Sequence, residues 1–320
     1  MQARVAGLLG VFGIFISATP AQIPKTFTPS QSSGVKPPRR SARDSAGELP
    51  CPLNRKQTAE AHYGDYLIET YRWPEPDGCV QISKRGKVIY SLVSTEFQIG
   101  NNFYGFQNGP KIPVGTDITG TGKPNAIVSE WSGGAHCCFT MHVFEIGEIF
   151  KEIAQIQADD SDDAHFVDLE HDGSYEFEGN DWAFAYWGAS FMDSPAPRIV
   201  LKYRSGHFRL ALDLMAKPGP THEEFVRLVH EIRSDDEWTP KHSRDCAIGC
   251  GVPVTLWRNM LELMYTGHAD SAWQLLDESW PPSQKYKSSF VAQFCKQLHE
   301  SHYWYDLEQA IGTCPPTVRR

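Results

Sequence analysis

Residues 168–177, Asp-Leu-Glu-His-Asp-Gly-Ser-Tyr-Glu-Phe, set Asp168, Glu170, Asp172 and Glu176 at even spacing around a single glycine. Four carboxylates this close repel one another unless a cation sits between them, and hard oxygen donors at alternate positions suit calcium. Gly173 gives the backbone the freedom to fold back and turn the Ser174 carbonyl toward the same centre. The expected metal ligands are therefore Asp168, Glu170, Asp172, Ser174 and Glu176. A sparser copy lies upstream, with Asp117, Thr119, Thr121, Gly122 and Asn125 at the matching places and one carboxylate in the set. It reads either as an eroded second site or as a plain turn. The plain reading applies to both stretches, because Asp-x-x-x-Asp-Gly is also an ordinary hairpin turn whose acids face water. An EF-hand is excluded: its bidentate Glu at position 12 would fall on Gly179, and a strand-like run rather than a helix follows.

Residues 132–139, Ser-Gly-Gly-Ala-His-Cys-Cys-Phe, are the second chemically dense string. A thiol nucleophile at Cys137 or Cys138 needs a histidine. Neighbouring residues on a strand point to opposite faces, so His136 cannot serve Cys137 and another residue such as His165 must be recruited. His136, Cys137, Cys138 and His142 could instead hold a soft metal if the thiols are reduced. The third reading is a structural disulfide. Residues 180–191 crowd aromatics at period-two spacing, which on a strand sets Trp182, Phe184 and Tyr186 on one side and Trp187 on the other. Packing into the core is the expectation for them, with a sugar- or peptide-binding face as the alternative. No Gly-x-Ser-x-Gly elbow, phosphate-cradling loop or His-Glu-x-x-His helix occurs. The leading expectation is an exported, non-catalytic, calcium-stabilised binding or scaffold protein that engages a protein or an envelope glycan. The alternative is an envelope hydrolase or thiol-dependent enzyme using Cys137 or Cys138 with a histidine.

The elements that must position these residues follow from composition and period. Residues 1–21 carry Arg4, an apolar run over 5–16 and a small-residue exit, the pattern of a signal peptide. Secretion or a periplasmic location is expected, with no transmembrane segment in the mature chain. Loss of Arg4, the one charged residue of that segment, moves the net charge from −9 to −10. An acidic chain of this kind repels phosphate backbones, which argues against nucleic acid. In an oxidising compartment the eight cysteines favour disulfides. Sequence proximity suggests Cys51–Cys79, Cys246–Cys250 and Cys295–Cys314, with Cys137 and Cys138 closing a vicinal ring or finding separate partners. Residues 22–50 are Pro- and Ser-rich and read as a disordered linker. From 51 to 215, short β-branched and aromatic runs give an antiparallel pattern, with hairpins over 80–92 and 198–210 and strands over 126–131, 139–146 and 150–156. From 216 to 320 the period becomes helical: a capping box from Thr221 to Glu224 is followed by helices over 254–265, 269–279, 287–302 and 304–311. The fold class expected is α+β, an antiparallel β-meander or partial propeller-like domain followed by an all-α helix-hairpin domain.

Residues 117–128 and 168–178 resemble the calcium-loop repeats of FG-GAP or VCBS type. That resemblance implies a propeller-like or open meander domain in which metal loops staple strand turns outside the cytoplasm. The chain departs from it in having no Phe-Gly or Gly-Ala-Pro element beside either loop, and two copies do not complete a propeller. Residues 261–281 resemble one tetratricopeptide-type helix hairpin, with Gly267, Ala272 and Pro281 in its places; one copy implies helix-pair packing rather than a solenoid. The Gly-Gly-Ala-His-Cys-Cys string followed by an acidic loop is similar to uncharacterised secreted bacterial proteins, which implies no activity.

Overall fold

The structure, a computed structural model, describes residues 35–36, 51, 55–72, 78–103, 109–134, 138–238 and 251–314. The signal peptide, most of the 22–50 linker, His136, Cys137, Cys246 and Cys250 lie outside the described residues. Twelve of the strands form three antiparallel meanders in strict chain order. The first is β2 (Lys56–Tyr63), β3 (Tyr66–Arg72), β4 (Gly78–Lys84) and β5 (Lys87–Ser94), following β1 (Val35–Lys36). The second is β6 (Glu96–Ile99), β7 (Asn125–Trp131), β8 (Phe139–Ile146) and β9 (Phe150–Asp159), extended at its edge by β1, which pairs Val35 with Ile156. The third is β10 (His165–Val167), β11 (Glu176–Asn180), β12 (Arg198–Arg204) and β13 (His207–Leu210). Both expected hairpins form for a backbone reason: Arg85 and Gly86, like Ser205 and Gly206, all take positive φ, the two-residue turn whose twist suits antiparallel strands.

Alternation along β7 and β8 buries both faces of the middle sheet. Ala126, Val128, Phe144 and Ile146 pack with Tyr66, Ile68, Val80 and Ile82 of the first meander. Ile127, Met141 and Val143 face the other way, into a core shared with Phe166, Phe177 and Leu201 of the third. That core continues into the helices α1 (Leu212–Met215), α2 (His222–Arg233), α3 (Val254–Tyr265), α4 (Ala269–Ser279), α5 (Lys287–Leu298) and α6 (Trp304–Ile311). The protein is thus mixed α+β. The change from strands to helices near residue 215 brings no break in the apolar core, and the described residues belong to one compact unit.

The helices begin and end for local reasons. Thr221 and Glu224 complete the expected capping box on α2. Gly267, at φ 91°, turns α3 into α4, and Ala272 is fully buried where the two pack. α5 stops at Leu298, four residues short of the expected 302, because Glu300 and Ser301 donate to Gln297 and Leu298 carbonyls three residues back, a tightened final turn. Among the described residues no helix is long and apolar enough to cross a membrane.

The disulfides Cys51–Cys79 and Cys295–Cys314 form as the sequence suggests. Within the aromatic stretch 180–191, the residues after Asn180 do not form the expected strand. Ala185 N–H donates to Trp182 O, and Trp187 N–H to Phe184 O, a chain of turns that replaces period-two alternation. Phe184 and Trp187 enter the core, while Tyr186 stands 57% exposed.

Candidate functional site

The two expected loops are one structural device built twice. Each lies just before the second strand of its meander, ahead of β7 and β11. In the first, Asp117 Oδ1 accepts the Thr121 N–H (3.2 Å) and Oδ2 the Gly122 N–H (2.6 Å). In the second, Asp168 Oδ1 accepts the Asp172 N–H and Oδ2 the Gly173 N–H, both at 3.1 Å. The last position closes each turn alike: Asn125 Oδ1 accepts from Ile118 N–H and Glu176 Oε2 from Leu169 N–H, both at 3.0 Å. Gly120 and His171 share a left-handed backbone (φ 68° and 56°), as do Gly122 and Gly173 (77° and 86°). The turns also join each other, since Tyr175 N–H donates to Ile118 O at 3.0 Å.

Their charge is handled differently. In the first turn the hydroxyls of Thr119 and Thr121 bond to each other at 2.8 Å, and Thr119 also donates to Asp117. In the second, the ammonium of Lys202, on β12, reaches Glu170, Asp172 (3.4 Å) and Glu176 (3.2 Å). The hydrogen bond to Glu170, followed by the pull of Glu176 and Asp172, outweighs desolvation and holds the Lys202 pKa above the usual amine range. Ser174 donates N–H and hydroxyl to Asp172 Oδ1, lowering that carboxyl's pKa. The structure therefore brings Glu170, Asp172 and Glu176 together, with Asp168 turned to backbone N–H groups beside them. Lys202, which contacts all three, is a residue that sequence spacing did not single out. Among the described residues no group of three or more His, Cys, Asp or Glu side chains is arranged to hold a metal.

The sulfur string gives less to catalysis. Cys138 is disulfide-bonded, and no described cysteine is free. His165 Nδ1 lies 2.8 Å from Asp163 O, a local backbone contact. His142 is fully buried between Glu130 (Nε2, 2.7 Å) and Glu152 (Nδ1, 2.8 Å), so both ring nitrogens are committed to carboxylates. Burial disfavours its charge, but the bonds to Glu130 and Glu152 prevail and raise its pKa to about 9. Burial likewise opposes ionisation of Glu130, and His142 overrides it to lower that pKa. Strand register creates the trio: Thr140 pairs with Glu130 and Phe144 with Glu152, which puts the three side chains on one face of β7, β8 and β9. They lie against the first meander, where Tyr90 OH approaches Glu152 at 3.5 Å.

A second buried acid knits sheets to helices. Asp181 accepts the Tyr265 hydroxyl at 2.5 Å, the Ser301 hydroxyl, and the Ala183 N–H at 2.9 Å; burial raises its pKa although these bonds oppose the shift. Beside it opens a recess of about 280 Å³ lined by Asp159, Asp160, Trp182, Glu300 and His302, with His302 Nε2 3.4 Å from Asp159. Trp182 forms one wall and stacks on Phe191 at 5.1 Å and 7°, and Tyr186 leans on Phe191 at 5.6 Å. Tyr186 holds φ 58°, a strained setting for a bulky residue, and its N–H is met by Ser194 Oγ at 2.9 Å. Met192, next to Phe191 in the chain, is 87% exposed. No family model matches the chain, and neither the curated proteins nor the solved structures compared with it include a match.

Proposed function

We propose that the protein is an exported, non-catalytic binding protein that engages an envelope glycan through the aromatic rim formed by Trp182, Phe191 and Tyr186 and the acidic recess beside it. One observation carries this reading: Trp182, a wall of a carboxylate-lined recess, stacks on Phe191, against which the exposed Tyr186 leans. Flat aromatic faces cover the C–H faces of sugar rings, and carboxylate oxygens accept hydroxyl hydrogens, so the two surfaces together suit a saccharide. Met192 adds exposed apolar surface of the kind that marks interaction sites. The disulfides and the proposed signal peptide favour an oxidising location outside the cytoplasm. The bonded state of Cys138 speaks against the thiol-enzyme reading. Three meanders in chain order, two with the same turn ahead of the second strand, favour the propeller-like reading of the β part.

The test is co-sedimentation and titration with purified envelope polysaccharide and its soluble oligosaccharides, using the full chain and the variants Trp182→Ala and Tyr186→Ala. Binding that falls at least about tenfold in either variant, with an unchanged melting temperature for Tyr186→Ala, supports the site. Unimpaired glycan binding by both variants, or none by the wild type, overturns it. Rapid alkylation of one thiol in the native, unreduced protein would revive the enzyme reading.

A further inference from the structure

We propose that Lys202 is the built-in cation of the 168–176 turn, standing where calcium loops of the resembled type hold a metal, and that calcium enters only when this ammonium is displaced or removed. The inference goes beyond glycan binding and rests on a different part of the molecule.

The placement is specific. Lys202 approaches from β12, a different strand from the one the turn feeds, and it touches carboxylates at the third, fifth and ninth positions of the turn together. The ninth-position residue, Glu176, is fully buried; its Oε2 is taken by Leu169 N–H, while its Oε1 makes no hydrogen bond. The Lys202 ammonium lies 3.2 Å from Oε1, close enough to form an ion pair with it. A buried carboxylate oxygen tolerated in this way needs a positive charge in contact, and Lys202 is that charge.

The remaining negative charge meets backbone donors. The N–H groups of Asp172 and Gly173 point at Asp168, and that of Ser174 at Asp172, charge-assisted bonds that stabilise ionised oxygens. The first turn acts as an internal control. It follows the same backbone path with one carboxylate and closes through the Thr119–Thr121 hydroxyl pair, while its own lysine, Lys123, pairs with Glu145 on β8. The path itself is thus held by Asx-type hydrogen bonds, and a cation is needed only where Glu170, Asp172 and Glu176 add charge.

A divalent ion brought to this centre would meet a fixed positive charge within a few ångströms, in competition for the same three side chains. Removing the ammonium while leaving the carboxylates converts the turn into an oxygen cage of the type calcium takes. The chain thus differs from a metal loop by one side chain contributed from outside it.

The experiment compares wild type, Lys202→Met and Lys202→Arg, each as the full chain, by thermal melting and by calorimetric titration with calcium chloride up to about 10 mM. The wild type is expected to melt within about 1 °C of the same temperature with and without calcium. Lys202→Met is expected to melt lower in chelator and to recover several degrees in calcium, binding it at least about tenfold more tightly than wild type does. Lys202→Arg keeps a positive charge and should stay insensitive to calcium. If Lys202→Met does not fold, the wild type still decides: one-to-one calcium binding below about 1 mM that Asp172→Ala abolishes overturns the inference. A folded Lys202→Met variant that shows no calcium response overturns it as well.

Discussion

Replacing His142 by glutamine should remove a stabilisation that depends on pH in a calculable way. In the native protein the imidazolium is held between Glu130 and Glu152 and its pKa stands at about 9, against 6.5 for the free side chain. A folded-state pKa raised above the unfolded one means that the native state binds the proton more tightly. The stabilisation is therefore complete below pH 6.5 and disappears as pH rises through 9. At about 1.4 kcal/mol per pKa unit, the difference corresponds to roughly 3 kcal/mol for this one group. That is a sizeable share of a typical folding free energy of about 5–15 kcal/mol. Solvent screening takes little from it, because the His142 side chain is 3% exposed and its partners 16% and 10%. Urea unfolding of wild type and His142→Gln at pH 6, 7.5, 9 and 10 measures the effect. The wild type should be more stable by about 3 kcal/mol at pH 6, by less at 7.5, and the two should converge near pH 10. A gap that stays constant from pH 6 to 10 would refute the charged-imidazole reasoning and leave His142 as a packing residue. Glu130 has the opposite sign: its lowered pKa gives stability that is lost as acid protonates it below the ordinary carboxylate range.

Other perturbations test the joints between parts. Asp181→Ala leaves the buried hydroxyls of Tyr265 and Ser301 without their acceptor, at about 1–3 kcal/mol each, and should lower the urea midpoint of sheet and helix signals together. Independent shifts of the two signals would show that Asp181 does not couple them. Replacing Cys295 and Cys314 with alanine opens a loop spanning a separation of 19 residues and should destabilise by about 3 kcal/mol, read from urea midpoints under non-reducing conditions. Thr221→Ala removes the side-chain half of the α2 capping box and should cost about 1 kcal/mol, a modest fall in melting temperature. No fall would place α2 stability in its packing rather than its cap.

What could be read from the sequence was what local chemistry decides. The hairpin at Arg85–Gly86 was legible because glycine follows a residue that tolerates positive φ between two alternating runs, and the twin turns because Asp117 and Asp168 open strings of the same spacing. The last helices followed from apolar period and from Gly267. The counter-ion was not legible. Lys202 lies on a strand well downstream of Glu176, where a lysine reads as a solvent-facing residue, and only the β11–β12 pairing brings it to the turn. The Glu130–His142–Glu152 trio escaped for the same reason, since it exists only once β7, β8 and β9 find their register. The aromatic stretch misled by its period: Trp182, Phe184 and Tyr186 alternate like a strand, but the turns at Ala185 and Trp187 send Phe184 inward and Tyr186 out.

The shared core also has a consequence in time. Phe184 and Trp187 are covered by Trp257 of α3 and Phe294 of α5, residues made much later than themselves. At a synthesis rate of about 5–20 residues per second, these rings wait roughly 5 to 20 s on the growing chain before Phe294 exists to cap them. Throughout that interval Phe184 and Trp187 lack the rings of α5 that cover them in the finished protein, so a chain that ends before α5 leaves part of this aromatic surface bare.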